Sequence, residues 1–262
     1  MRIFVFNFKK IAIIVSLLIF CIILGLLFLS YKKNFFAIES ASNSVSDTLA
    51  KNDEKIAYLT FDDGPTLRAT GKILDILKEE NVKASFFVIG KYVAKHPELV
   101  KRAYDEGHYI ANHGYSHDNS KLYKSNESFL SEVKNTDIEI GKAIDVPDYC
   151  SHYFRFPNGF MSASYRNQKK KAAQLLSDMG YMYVDWNCLN KDSEKKCSQA
   201  QLLSNLKKTS KNKGTLIILM HDTCDVNDTV SVLKDSILYL KSQEYEFKNF
   251  YDLDIQSQED LK

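Results

Sequence analysis

Arginine is scarce in this 262-residue chain, at five of the 35 cationic residues, so a role needing a planar, permanently charged fork has few candidates. Cysteine is also sparse: there are five, none in CxxC spacing, which argues against a cysteine-based zinc module. No internal repeat or low-complexity block stands out, so a fibrous architecture is excluded. A basic body is missing as well. Five cations and no acid precede residue 34, leaving 30 cations against 33 acids and a net charge of −3 in the remainder. That argues against a nucleic-acid-binding surface. Mean hydropathy of −0.28 excludes a multi-span membrane protein. Apolar and charged shares of 45% and 26% are those of a globular chain and exclude wholesale disorder.

One long hydrophobic run is present. Residues 11–30 carry no charge, and at about 1.5 Å per residue they span about 30 Å, the thickness of a bilayer core. The run exceeds a signal-peptide core and ends in Tyr31-Lys32-Lys33. We expect an uncleaved transmembrane signal anchor at 11–31, after a cytoplasmic N-terminus at 1–10. Both flanks are basic, so charge alone gives only a slight lean toward an N-in, C-out orientation. Residues 32–54 are rich in Ser, Asn, Asp and Ala without sustained periodicity, and read as a stem.

From residue 55 to about 255, short apolar runs alternate with amphipathic ones. Strands are expected at 56–61, 84–89, 109–112, 153–156, 181–185, 215–220 and 246–250. Helices are expected at 70–80, 93–104 (interrupted by Pro97), 129–144, 171–179, 202–206 and 230–240. The pattern is that of an α/β fold with a parallel sheet, a distorted (β/α) barrel of about seven units, closed or nearly so. Polar residues stand at the ends of its strands, where such folds place their chemistry: Asp62-Asp63, His113, Arg155, the stretch from Asp185 to Asp192, and His221-Asp222.

Asp62 and Asp63 lie side by side at a strand-to-turn junction. Such acids can simply cap a turn; alternatively one carboxylate holds a metal and the other takes a proton. His113 and His117 are four apart, which on a helical turn puts both on one face. One Asp and two His form a ligand set with an open position, suited to a catalytic divalent ion such as zinc, with cobalt and nickel sharing such ligands. His221, after the buried strand, is placed to donate a proton to a leaving group. His96, His108 and His152 read as structural.

TFDDGP (60–65), NHGYSH (112–117), RFPNG (155–159), WNCLNKD (186–192) and ILMHDT (218–223) occur in this order. With these motifs the chain resembles the polysaccharide deacetylases, the NodB-homology or carbohydrate esterase family 4 fold, over about residues 55–253. The resemblance implies Asp62 as base, Asp63, His113 and His117 as metal ligands, and Arg155 as the residue that orients the base. It implies His221 as acid, supported by Asp192, with Asp185 as the second candidate. A backbone N–H near Asn158 would receive charge from the acetyl oxygen. Pro157, Asn158, Trp186 and Leu219 are expected to line the substrate site. The family usually has Tyr where Asn158 stands, and often Asp and an aromatic where Leu189 and Ser193 stand.

The implied reaction removes N-acetyl (or O-acetyl) groups from a glycan. The expected substrate is GlcNAc of peptidoglycan, with MurNAc, poly-GlcNAc, chitin-like chains or acetylated xylan as alternatives. From other classes stand a silent glycan-binding module and a metal phosphoesterase, which usually needs a second metal. The expected setting is a single-pass membrane protein with a monomeric catalytic domain on the wall side. Cys150, Cys188, Cys197 and Cys224 allow three disulfide pairings, or remain free thiols.

Overall fold

The computed structural model describes residues 54–224 and 227–253. The predicted anchor at 11–31 and all but the last residue of the stem lie outside the described residues. Among those described, no helix is long and apolar enough to cross a membrane.

The strands are β1 (Ile56–Asp62), β2 (Ser85–Val88), β3 (Tyr109–Asn112), β4 (Tyr153–Phe154), β5 (Met182–Tyr183), β6 (Cys188–Leu189), β7 (Leu216–His221) and β8 (Glu246–Lys248). The helices are α1 (Thr70–Glu79), α2 (Gly90–Val93), α3 (Pro97–Asp105), α4 (Asn119–Leu122), α5 (Asn126–Ile144), α6 (Arg166–Asp178), α7 (Gln199–Ser210) and α8 (Thr229–Ser242). Every strand pair is parallel, in the order β5-β4-β3-β2-β1-β7-β6. One edge of β1 follows β7. The other is shared, β8 taking Ile56–Tyr58 and β2 taking Thr60–Asp62. The two ends of the order, β5 and β6, do not pair, so the expected barrel is a curled sheet that stays open.

Period-two alternation divides the sheet into two faces. Ala57, Leu59, Phe61, Phe86, Ile110, Ile218 and Met220 pack outward against helices. Tyr58, Phe87, Tyr109, Ala111, Tyr153 and Ile217 point into the curl, where Phe250 packs against four aromatic rings at 5.0–5.9 Å. Continuing the inward phase two residues at a time reaches Asp62 from Tyr58, His113 from Ala111, Arg155 from Tyr153 and His221 from Ile217. The alternation that fills the core thus delivers polar side chains to its upper rim.

Several predicted boundaries shift. Pro97 does not interrupt a helix; it opens α3, where its missing N–H costs nothing. α5 begins at Asn126 because Ser125 caps it, its hydroxyl accepting the Ser128 N–H at 3.1 Å. α6 starts five residues before the predicted 171, since its first turn is polar and hides the period. β6 and the short α2 and α4 carry too few residues to show periodicity. The Cys150, Cys188, Cys197 and Cys224 thiols are all free, so none of the possible disulfides forms.

Replacing the fully buried Phe250 by Ala should lower the unfolding free energy by about 3–5 kcal/mol. Leu67→Ala, at a side chain 74% exposed, should stay within about 0.5 kcal/mol. Denaturant titration of both variants checks the contrast, and equal effects would contradict this account of the core.

Candidate active site

Asp62 ends β1 on the inner face, 3% exposed. Its Oδ1 accepts a hydrogen bond from Arg155 Nη1 at 2.7 Å, and its backbone carbonyl accepts the Asp222 N–H at 2.8 Å. Arg155 is fully buried and uses four of its five N–H donors: Nη1 also reaches the Thr60 hydroxyl at 2.7 Å, Nε the Val184 carbonyl at 2.9 Å, and Nη2 the Asp185 carbonyl at 3.3 Å. Phe87 lies 4.0 Å beneath the guanidinium.

Asp63 follows in a left-handed conformation, φ 73°, which turns its carboxylate away from the direction of Asp62. Its Oδ1 lies 3.4 Å from His113 Nε2 and 3.1 Å from His117 Nε2. The next residue has to be glycine: a Cβ on Gly64 would stand 2.1 Å from the Asp222 carboxylate. His113 and His117 do not share a helical turn. They flank a loop, and His117 reaches the cluster through a left-handed backbone, φ 53°.

The three ligand atoms of Asp63, His113 and His117 lie within 4.8 Å of one another. Asp63 Oδ1 is a buried carboxylate oxygen that accepts no hydrogen bond, a costly arrangement without a cation. The Arg155 carbonyl lies 2.7 Å from His113 Nδ1. A carbonyl only accepts, so Nδ1 carries the proton and Nε2 offers its lone pair toward Asp63. The residues therefore fit a divalent cation. Burial pushes the Asp63 carboxyl up, but the adjoining His113, with the charges of His117 and His221, holds it well below the usual carboxylate range. Burial disfavours the His113 cation, yet the Asp62 and Asp63 carboxylates raise its pKa; the same field that would hold a proton there attracts a metal ion. His117 is lowered by burial and by His113, which favours the neutral, ligating imidazole.

Opposite stands His221, at the end of β7. Its Nδ1–H donates to Asp192 Oδ1 at 2.7 Å, and its backbone N–H donates to Asp192 Oδ2 at 2.8 Å. The Thr229 hydroxyl also donates to Oδ2, and Asn227 holds the Asp192 carbonyl at 2.9 Å. Burial lowers the His221 pKa, but the bonded Asp192 carboxylate more than reverses this, raising it to about 9. Asp185 takes no part here; its carboxylate accepts the Phe160 N–H at 3.0 Å. A cavity of about 130 Å³ opens between Asp63 and His221, bordered also by Asp192 and Thr229. A larger one, about 820 Å³, lies between α5 and the turn at 145–150 and contains none of these residues.

Of the remaining predicted residues, Pro157 is buried and Asn158 is exposed with φ 63°. The Gly159 and Phe160 N–H groups are taken by Phe156 and Asp185, while that of Asn158 meets no acceptor among the described residues. Trp186 packs over Gly159 and lies 5.8 Å from the Arg155 guanidinium. Leu219 faces inward on β7 and is 5% exposed. His108 is structural: its Nδ1 accepts the Ala84 N–H, and burial lowers its pKa to about 4. Thr60, Asn227 and Thr229 went unread because isolated hydroxyls and amides carry no pattern of their own. Lys169 is also new, a buried ammonium that donates to the Gly159 carbonyl and the Ser162 hydroxyl behind the 157–162 loop.

The family model for polysaccharide deacetylase matches residues 50–184. The chain belongs to the polysaccharide deacetylase family. It is accordingly a deacetylase, a hydrolase of carbon–nitrogen bonds other than peptide bonds. Among curated relatives of this deacetylase, the peptidoglycan-N-acetylmuramic acid deacetylase PdaA of Bacillus subtilis is 32% identical, over 78% of this chain and 73% of the relative. A peptidoglycan-N-acetylglucosamine deacetylase of Bacillus cereus is 33% identical, over 76% and 71%. Among solved structures, a Streptococcus mutans CE4 esterase superposes with a TM-score of 0.67 at 28% identity, covering 81% of this chain and 93% of that one.

Asp192→Asn should bring the His221 pKa down from about 9 toward its ordinary 6.5, because burial is then opposed only by the Asp62 and Asp63 carboxylates. The raised folded value stabilises the fold fully below pH ~6.5, and this contribution is lost as pH rises through about 9. In the variant it should shrink. NMR titration of the imidazole in metal-free protein reads the shift; a His221 still titrating near 9 would refute the role given to Asp192.

Proposed function

We propose that the protein is a membrane-anchored, metal-dependent deacetylase of the cell envelope that removes N-acetyl groups from GlcNAc of peptidoglycan. One observation carries the chemistry: the Asp62–Arg155 pair and the His221–Asp192 pair flank the Asp63, His113 and His117 cluster. The relatives' names support the wall as substrate, one naming acetylmuramic acid and the other acetylglucosamine. The uncharged run at 11–30 supports an anchor, with the stem at 32–54 holding the catalytic domain on the wall side.

Asp63, His113 and His117 would hold the ion, and their N₂O set suits zinc, with cobalt or nickel as substitutes. When bound, such an ion polarises the acetyl carbonyl and acidifies water. Asp62, held by Arg155 in one orientation, takes the proton from the attacking water. The water oxygen adds to the carbonyl carbon, and the Asn158 N–H receives charge that builds on the carbonyl oxygen. His221, protonated at neutral pH, gives its proton to the sugar nitrogen as the carbon–nitrogen bond breaks. Acetate and a free amine result. Asp192 keeps the imidazole charged and aimed. Trp186, Leu219 and Pro157 line the approach.

Acetate release from N-acetylated peptidoglycan by the purified full-length protein, with zinc and with chelator, tests this reading. Asp63→Ala should abolish zinc-dependent release, and His221→Ala should reduce it by about 10²–10⁴-fold. Analysis of the products separates GlcNAc from MurNAc. Release only from chitooligosaccharides or acetylated xylan would reject the wall as substrate. Silence on every acetylated glycan would reject the enzymatic reading.

A further inference from the structure

The loop carrying His113 and His117 lies outside any helix or strand, and two of its residues, Gly114 and His117, have positive φ. A loop of this kind holds two ligands at a fixed separation only if something outside it fixes its backbone. The backbone groups of the loop account for how this is done. The His113 N–H donates to the Val88 carbonyl at 3.0 Å and the Gly114 N–H to Asn112 Oδ1 at 2.9 Å. The Gly114 and Tyr115 carbonyls accept the N–H groups of Gly90 and Lys91, each at 3.0 Å. The Ser116 carbonyl accepts from Lys91 Nζ at 2.8 Å.

Two further donors, the N–H groups of Tyr115 and Ser116, converge on a single atom. Glu132 Oε2, from the second turn of α5, accepts them at 2.9 and 2.7 Å. Here the loop backbone is held by a charged acceptor, and such bonds are about twice as strong as neutral ones. The carboxylate is partly buried, which strengthens it further. α2 packs so closely on the loop and on α5 that a Cβ on Gly90 would stand 2.6 Å from the Tyr115 ring and 2.8 Å from the Thr136 hydroxyl. The loop backbone is therefore held jointly by α2 and Glu132, and these bonds end one residue before His117.

We infer that Glu132 is a positioning residue for the metal site. By taking two successive N–H groups on one oxygen it sets the loop that separates His113 from His117, and with it the distance of both imidazoles from Asp63. It touches neither ligand side chain nor the position of the ion. The inference rests on reading Asp63, His113 and His117 as the metal ligands.

Zinc affinity of the purified full-length protein, measured by competition with a chromophoric chelator, tests it without recourse to activity. Groups that orient metal ligands typically contribute about 10–100-fold in affinity. Glu132→Ala should weaken zinc binding by that factor. Glu132→Asp keeps the charge and a similar bulk but draws the oxygen back from both N–H groups, and should weaken binding as well, which keeps the test open should the alanine variant not fold. Glu132→Gln retains an acceptor at the same reach but loses the charge, and should bind zinc more weakly than the wild type and more tightly than the alanine variant. Alanine and aspartate variants that bind zinc as tightly as the wild type would overturn the inference. So would a glutamine variant as weak as alanine, since the carboxylate would then act through its charge and not through the loop. A wild type that takes up no zinc, cobalt or nickel would remove the metal reading and this inference together. Wild-type binding beside unaffected variants would remove only the role of Glu132.

Discussion

A buried guanidinium holds this site together. Arg155 is fully enclosed, and an unpaired charge at such depth would cost several kcal/mol. Its donors run to β1 through Thr60 and Asp62 and to the segment after β5 through Val184 and Asp185. It thereby ties the centre of the sheet to its open side, where strand pairing has stopped. Its backbone carbonyl takes the His113 Nδ1–H. One residue thus sets the orientation of the proposed base with its side chain and of a proposed metal ligand with its main chain. Lysine could not replace it, because three roughly tetrahedral donors do not span the same planar set of acceptors.

Two carboxylate-centred pairs stand on either side of the metal cluster, and their environments differ. Asp62 is met by a permanent cation. The Asp192 carboxylate is met by an imidazole, the backbone N–H of His221 and the Thr229 hydroxyl, while the Asn227 amide donates to its main-chain carbonyl. The first arrangement fixes the orientation of the carboxylate proposed to accept a proton. The second raises His221 to about 9 and keeps it charged at neutral pH. Hydrolysis of an amide requires two such groups, one to take a proton and one to give it. Here the two are distinguished by their partners and not by exposure, since all four side chains are largely buried.

Much of this was legible in the chain because chemistry sits where periodic runs stop. The alternation in β1, β3, β4 and β7 extends to Asp62, His113, Arg155 and His221, so the inward face and the motif residues coincide. The groups that hold them were not legible. Glu132 is one of several acids on an amphipathic helix, Lys169 lies in a run of lysines, and Thr229 looks like an ordinary helix start. Their partners lie 7–37 residues away, and no local spacing connects them. The open edge between β5 and β6 was equally hidden, because two-residue strands carry too little pattern to show whether they pair. The helical arrangement expected for His113 and His117 failed for a related reason: four-residue spacing suits a helix, but Gly114 and the left-handed His117 reach the same convergence by a different backbone path.

Asn158 shows how such a fold separates reaction from recognition. Its side chain points to solvent while its peptide N–H is the one in the 157–160 turn left without an acceptor. The neighbouring peptide group is fixed at both ends, the Gly159 carbonyl by Lys169 and the Phe160 N–H by Asp185. A donor held by backbone geometry works the same way whatever its side chain. A change from the Tyr usual in the family to Asn therefore leaves the proposed charge-receiving group in place. What it alters is the rim, where a broad aromatic surface that would stack on a sugar gives way to a short amide. In the proposed reading the reaction is thus insensitive to this position, and the choice among acetylated sugars is where its effect would fall.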